Sequence, residues 1–179
     1  MLELKDATLS VDGRLLMDRL SLMAHKGQMT CITGPKGCGK TLLLRVLMGV
    51  VPLDKGLVSV DGELISELSA SAFRKLMAYV PQTEETVAQR GFIPDTNDME
   101  TAWSGEGLEP WEPKTIGLPV VTIQDKAIVL ADDPPTVMLS QLRTLANEGR
   151  TVVVTSQREE FLNMSDKIIR LGKHEDNGS

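Results

Sequence analysis

Aromatic side chains are scarce in this chain: three Phe, two Trp and one Tyr make up 3% of 179 residues. A core with so few rings must be filled by Leu, Val, Ile, Ala and Met, and the 41% hydrophobic share supplies them. The length is that of one domain with a buriable core. Cysteine is as sparse. Cys31 and Cys38 are the only two, which excludes a disulfide framework and fits two reduced thiols in a cytosolic protein. With His25 and His174 the only histidines, a zinc site has no adequate ligand set. No apolar run reaches the roughly 18 residues of a membrane span. Residues 1–13 lack a basic start followed by an apolar stretch, so no signal peptide is expected. A basic face is also missing. Lys and Arg number 19 against 25 Asp and Glu, a net charge of −6. The imbalance is concentrated in residues 91–179, with 8 basic against 15 acidic, while residues 1–90 hold 11 against 10. Nucleic-acid binding requires the opposite distribution and is not expected.

What is present is an alternation of short apolar runs. Residues 1–24 contain three of them, with Asp12-Gly13 as a hairpin signal between two, and read as a small antiparallel sheet. After Gly27, Met29 to Thr33 reads as a buried strand that Gly34 ends. Residues 41–48 are helical in pattern and are stopped by Gly49 and Pro52. Residues 57–60 with Asp61-Gly62 form a further strand and turn. Ser69 or Ser71 is expected to cap a short helix through Lys75, and residues 76–80 to form a strand closed by Pro81. Residues 91–113 hold six acidic residues, three prolines, three glycines and no Lys or Arg. They read as a long loop carrying Trp103 and Trp111, which either pin it to the body or mark a partner site. Order is expected to return at residues 120–123. A strand at 127–131, a helix at 137–147, a strand at 151–155, a helix near 159–162 and a strand at 167–171 follow, with residues 172–179 as a polar tail. The expected fold is α/β, a single domain over residues 1–179. It has a mostly parallel central sheet covered by helices and an N-terminal antiparallel β subdomain.

Gly34-Pro35-Lys36-Gly37-Cys38-Gly39-Lys40-Thr41 fits G-x-x-x-x-G-K-[ST] between a strand and a helix, the context a phosphate loop requires. Glycines let successive N–H groups turn inward as an anion nest. The helix that follows adds the positive end of its dipole. Lys40 brings a point charge to the outer phosphates, and the Thr41 hydroxyl is a hard oxygen ligand for Mg²⁺. Cys38 is either a thiol activated by the helix start or a small residue that fits the loop. The strand at 127–131 ends in Asp132-Asp133. Asp132 is the candidate metal carboxylate, and Asp133 the candidate group for orienting the attacking water. The implied ligand is a nucleoside triphosphate with Mg²⁺, ATP in particular.

These residues resemble the ATP-binding cassette ATPases of ABC transporters. The likeness is close over residues 1–82, where GPKGCGKTLLLRVLMG, GLVSVDGELI and ELSASAFRKLMAYVPQ follow the family's order. It implies that Gln82 is a Mg²⁺ and water ligand and that Leu42 joins the nucleotide contacts. Asp132 falls at the Walker B aspartate and Asp133 at the catalytic glutamate, one methylene shorter. It puts Val11 where the family stacks adenine on an aromatic, and Ser156 where it has its switch histidine. The LSGGQ signature is absent, its nearest string being residues 103–107. The D-loop is absent too, because Pro134-Pro135-Thr136 runs into a helix. The span from Gln82 to Asp132 is short for a helical subdomain, which is expected to be reduced or missing.

The resemblance implies a cytoplasmic ATP-binding subunit, peripheral at the inner face of a membrane, whose partner is a membrane permease subunit or a second cassette. Its hydrolysis is expected to be weak or partner-dependent, because the family's signature helix supplies phosphate donors missing here. Two other readings stand beside it. One is a non-catalytic nucleotide sensor, favoured by Val11, Ser156 and the absent signature. The other is a small metabolite kinase, disfavoured because only Arg90, Lys114 and Lys126 are available between Gln82 and Asp132 for a basic lid.

Overall fold

The computed structural model describes residues 1–82, 123 and 125–172. Asp12 and Gly13 both take left-handed φ, 52° and 76°. That is the geometry of a two-residue primed turn, and it joins β1 (Leu2–Val11) to β2 (Arg14–Ala24) as an antiparallel hairpin. The pairing slips between Leu4 and Ala7, where Asp6 has φ 49°, and again opposite Arg19, φ 48°. Side chains from across the hairpin accept the N–H groups freed by these bulges. The Ser21 hydroxyl takes that of Asp6 at 2.9 Å and the Thr8 hydroxyl that of Arg19 at 3.3 Å. β4 (Lys55–Val60) pairs with the other edge of β1, and β5 (Glu63–Leu64) with β4 through the Asp61-Gly62 turn, giving the order β2-β1-β4-β5.

The second sheet is built from β3 (Met29–Thr33), β6 (Met77–Val80), β7 (Ile128–Asp132), β8 (Thr151–Thr155) and β9 (Lys167–Arg170). Its order is β6-β7-β8-β3-β9, and all neighbours run parallel. Every residue of β3, β6, β7 and β8 is buried, as a sheet covered on both faces requires. The two-residue side-chain period divides them. Ile32, Tyr79, Leu130 and Val153 face α1 (Lys40–Leu47), which also packs Leu43, Leu44 and Leu47 against Leu2, Leu4, Leu9 and Leu22 of the hairpin. Cys31, Val80, Val129, Ala131 and Val154 face the other way, toward Leu142, Leu145 and Ala146 of α3 (Leu139–Asn147) and Phe161 of α4 (Glu159–Met164). Burial pushes the Cys31 thiol up to about 11, so it is a packing residue.

The expected α/β architecture is therefore present, with small corrections. α2 (Ala70–Arg74) has Ser69 at its N-cap position without a capping bond. The Ser69 hydroxyl turns back to donate to Leu64 O and to accept from Ser66 N, fixing the preceding turn instead. The helix expected from residue 137 opens as a 3₁₀ turn at Thr136–Met138, after Pro135 in an extended conformation. Ile123 is helical and buried. The acidic loop, Trp103, Trp111, the signature-like string and the question of a helical subdomain lie outside the described residues. No helix among the described residues is long and apolar enough to cross a membrane.

β9 and α3 are tied to β3 through one carboxylate. Asp166 Oδ2 accepts from Arg143 Nη1 at 2.5 Å and from Met29 N at 2.8 Å. The Arg143 guanidinium, with the Met29 N–H, holds the Asp166 carboxyl below the usual carboxylate range. A carboxyl with a depressed folded-state pKa contributes stability that is fully present above its unfolded value near pH 4 and is lost as pH falls through the folded one. Asp166→Asn is expected to cost about 1 kcal/mol at pH 7, modest because the pair is partly exposed. In urea unfolding the gap between variant and wild type should stay level from pH 8 to 5 and close below pH 4. A gap independent of pH would reject the ion pair as its source.

Candidate functional site

The loop from Gly34 to Gly39 leaves the C-terminal end of β3, between its neighbours β8 and β9, and delivers the chain into α1. Two features keep the first turn of α1 open to an anion. The N-cap is Gly39, φ 93°, which has no side chain to cap with, and no acidic residue stands in the first turn. Gly34 is required for a different reason, close approach. A Cβ there would lie 2.6 Å from Leu171 O and 2.8 Å from Cys38 Sγ. Cys38 itself is packed inward, 8% exposed, as a small residue of the loop's underside.

Lys40 Nζ donates to Gly34 O at 2.7 Å and Pro35 O at 2.9 Å, so its charge is held over the loop by the loop's own carbonyls. Beside it, the hydroxyl of Thr41 donates to Asp132 Oδ2 at 2.6 Å. Asp132 is 2% exposed and is fixed from two further sides. Thr155 Oγ1 donates to Oδ1 at 2.6 Å, and Tyr79 OH lies 3.4 Å from Oδ2. Burial first, and the Asp132 charge second, push the Tyr79 phenol above its usual range, so it stays neutral and serves as a donor. Thr155 Oγ1 also accepts from Asp133 N at 2.9 Å, so one threonine fixes the Asp132 carboxylate and the Asp133 backbone. Asp133 pays for that position with a left-handed φ of 43°. Its Oδ1 is 3.4 Å from the Ser156 hydroxyl and 3.9 Å from Arg158 Nη1.

These groups line one open cleft of about 640 Å³, bounded by Lys36, Gly37, Gly39, Lys40, Thr41 and Leu42 on one side and by Gln82, Asp132 and Asp133 on the other. A smaller cavity of about 190 Å³ adjoins it across Lys36 and Gly37 and is lined by Arg14, Leu15 and Leu16 of β2. Gly34, Pro35 and Cys38 shape the loop from behind. Val11 is not brought in. It sits 39% exposed at the hairpin tip, and Leu15 and Leu16 line the smaller cavity beside the loop. Three residues with no motif to announce them also line the main cleft: Arg45, one helical turn after Thr41, and Gln157 and Arg158 in the turn after β8. Gln157 Nε2 donates to Gly34 O, bracing the loop from across the cleft.

The donor set suits a hard divalent cation. Thr41 and Asp132 offer oxygen ligands, Gln82 can add an amide oxygen, and no group of three or more His, Cys, Asp or Glu clusters among the described residues. A site with so few protein ligands fits Mg²⁺, which takes its remaining ligands from water and phosphate.

An anion loop at the end of a parallel strand, with a buried aspartate at the tip of another, defines a P-loop nucleoside-triphosphate-binding protein. The family model described as "ABC transporter" matches residues 17–117, more than half of the chain, and the chain belongs to that family. It is 27% identical over 207 aligned residues to the spermidine/putrescine import ATP-binding protein PotA of Pasteurella multocida, an alignment covering 97% of this chain and 56% of that protein. Over 78 residues it is 42% identical to the vitamin B12 import ATP-binding protein BtuD of Vibrio cholerae, covering 44% of this chain and 30% of that one. The chain thus spans about half or less of the length of these curated relatives. Among solved structures, a nucleotide-free ATP-binding cassette from an ABC transporter superposes with TM-score 0.70 at 17% identity, covering 97% of this chain and 88% of that one. The cassette MJ0796, as a dimer bound to ADP and Pi, superposes with TM-score 0.66 at 18% identity over 97% of each chain. Both likenesses are of fold.

Proposed function

We propose that this chain binds Mg·ATP in the main cleft as the ATP-binding component of a transport system. The observation that carries the reading is the 2.6 Å bond from Thr41 Oγ1 to Asp132 Oδ2, beside a lysine held over an uncapped helix start. It sets the candidate Mg²⁺ ligands next to the candidate phosphate site. The loop N–H groups and Lys40 would bind the phosphates. Thr41, Asp132 and Gln82 would hold Mg²⁺, which when bound supplies charge neutralisation between phosphates. Asp133 is the candidate for orienting water. The partner would be a membrane permease or a second cassette, consistent with the import systems named for the relatives and the dimeric MJ0796 cassette. With such a partner the chain would sit at the cytoplasmic face of a membrane.

Calorimetric titration of Mg·ATP tests this. Binding on the order of 10 µM is expected, about 7 kcal/mol, and Lys40→Ala should weaken it at least about tenfold. Equal binding by both proteins, or none by the wild type, overturns the reading.

One observation favours weak or partner-dependent turnover. Ser156 is fully buried, with its hydroxyl given to Asp133 and accepting from Arg158 N at 3.2 Å. It therefore offers no group to a terminal phosphate.

A further inference from the structure

Arg158 is a cation of the main cleft that belongs to neither the phosphate loop nor the helix after it. It stands at the start of α4, and its side chain is 42% exposed. Its Nη1 donates to Pro134 O at 2.5 Å and lies 3.9 Å from Asp133 Oδ1, at the outer limit of an ion pair. The other cations of the cleft are placed differently. Lys36 and Lys40 belong to the loop, and Lys40 is engaged with its carbonyls. Arg45 lies along α1, its Nε enclosed and its charge felt by the Tyr79 hydroxyl. Arg158 thus holds the candidate water-orienting carboxylate in a loose pair, while lining the same cleft as the phosphate loop.

We infer that Arg158 contacts the terminal phosphate of the bound nucleotide and so distinguishes a triphosphate from a diphosphate, leaving Asp133 as it does so. This rests on the nucleotide reading above. The exchange is favourable on general grounds. A partly exposed ion pair near 4 Å contributes little. A guanidinium meeting a phosphate forms charge-assisted, often bidentate bonds. Release of Asp133 would make its carboxylate available only when the third phosphate is present. The sensing charge is then supplied by the residue two positions beyond buried Ser156.

The test compares Mg·ADP with the non-hydrolysable imido analogue of ATP, titrated into the full chain as wild type, Arg158→Ala and Arg158→Lys. The expected result is a loss of about tenfold or more for the analogue in Arg158→Ala, ADP affinity within about twofold of wild type, and partial recovery in Arg158→Lys. A merely structural role through Pro134 O would weaken both nucleotides alike, and that outcome, or no change in either, overturns the inference. Failure of the wild type to bind either nucleotide would overturn the nucleotide reading and this inference with it. ADP binding with an unaltered preference overturns the inference alone.

Discussion

Gly34→Ala is expected to reduce Mg·ATP binding about 100-fold or more and to lower the unfolding free energy by about 2–4 kcal/mol. The added methyl would meet Leu171 O at 2.6 Å and Cys38 Sγ at 2.8 Å. Neither neighbour yields easily. Leu171 N is bonded to Thr33 O at 2.8 Å as the last link between β9 and β3, and Cys38 is packed under the loop. The least costly relief lifts the loop itself. That moves Gly34 O away from Lys40 Nζ and Gln157 Nε2, so the anion nest is lost along with stability. Calorimetry beside urea unfolding measures both. Binding at wild-type strength would show that the loop accommodates a methyl and that its shape is not set by this contact.

The same substitution at Gly56 should separate stability from binding. Gly56 lies in β4 with φ 96°, and a Cβ there would sit 2.5 Å from Lys5 O, 2.6 Å from Asp6 O and 2.7 Å from Ala7 Cα. All three are backbone atoms at the bulge in β1, which the Ser21 hydroxyl holds in place. Gly56→Ala combines a left-handed conformation with three close backbone contacts. It is expected to cost about 3–5 kcal/mol in urea unfolding. Nucleotide affinity of the protein still folded at low temperature should match wild type, since Gly56 lines neither cavity. If the folded variant lost nucleotide as Gly34→Ala does, damage at the antiparallel sheet would reach the cleft, and the Gly34 effect could not be assigned to the loop.

Much of the molecule was legible in the residues themselves, where the signal is local. Asp12-Gly13 and Asp61-Gly62 mark tight turns because Gly tolerates positive φ. The short, largely apolar runs at β3, β7 and β8 mark strands covered on both faces. The phosphate loop was legible because an anion nest needs glycines, a lysine and a hydroxyl at fixed spacing within one turn of chain. So was Asp132, as the acidic end of an apolar run. These inferences need only short-range chemistry, and it sufficed to establish the α/β fold and to point to the class of ligand.

Long-range placement was decided by the tertiary structure. Ser69 occupies a cap position, yet its hydroxyl bonds back to residues 64 and 66, a choice between two short-range partners that its identity does not settle. Val11, beside the Asp12-Gly13 turn, lines neither cavity. Leu15 and Leu16 border the loop instead. Thr155, Gln157 and Arg158 carry no motif. They act on the site because β8 lies between β7 and β3, which brings the turn after it over both the aspartates and the phosphate loop. Residue order along the chain therefore determined the phosphate-loop motif and the strands that frame it. The parallel arrangement of three strands distant in sequence decided which side chains surround it, since a strand order is settled by packing over the whole sheet and leaves no local trace.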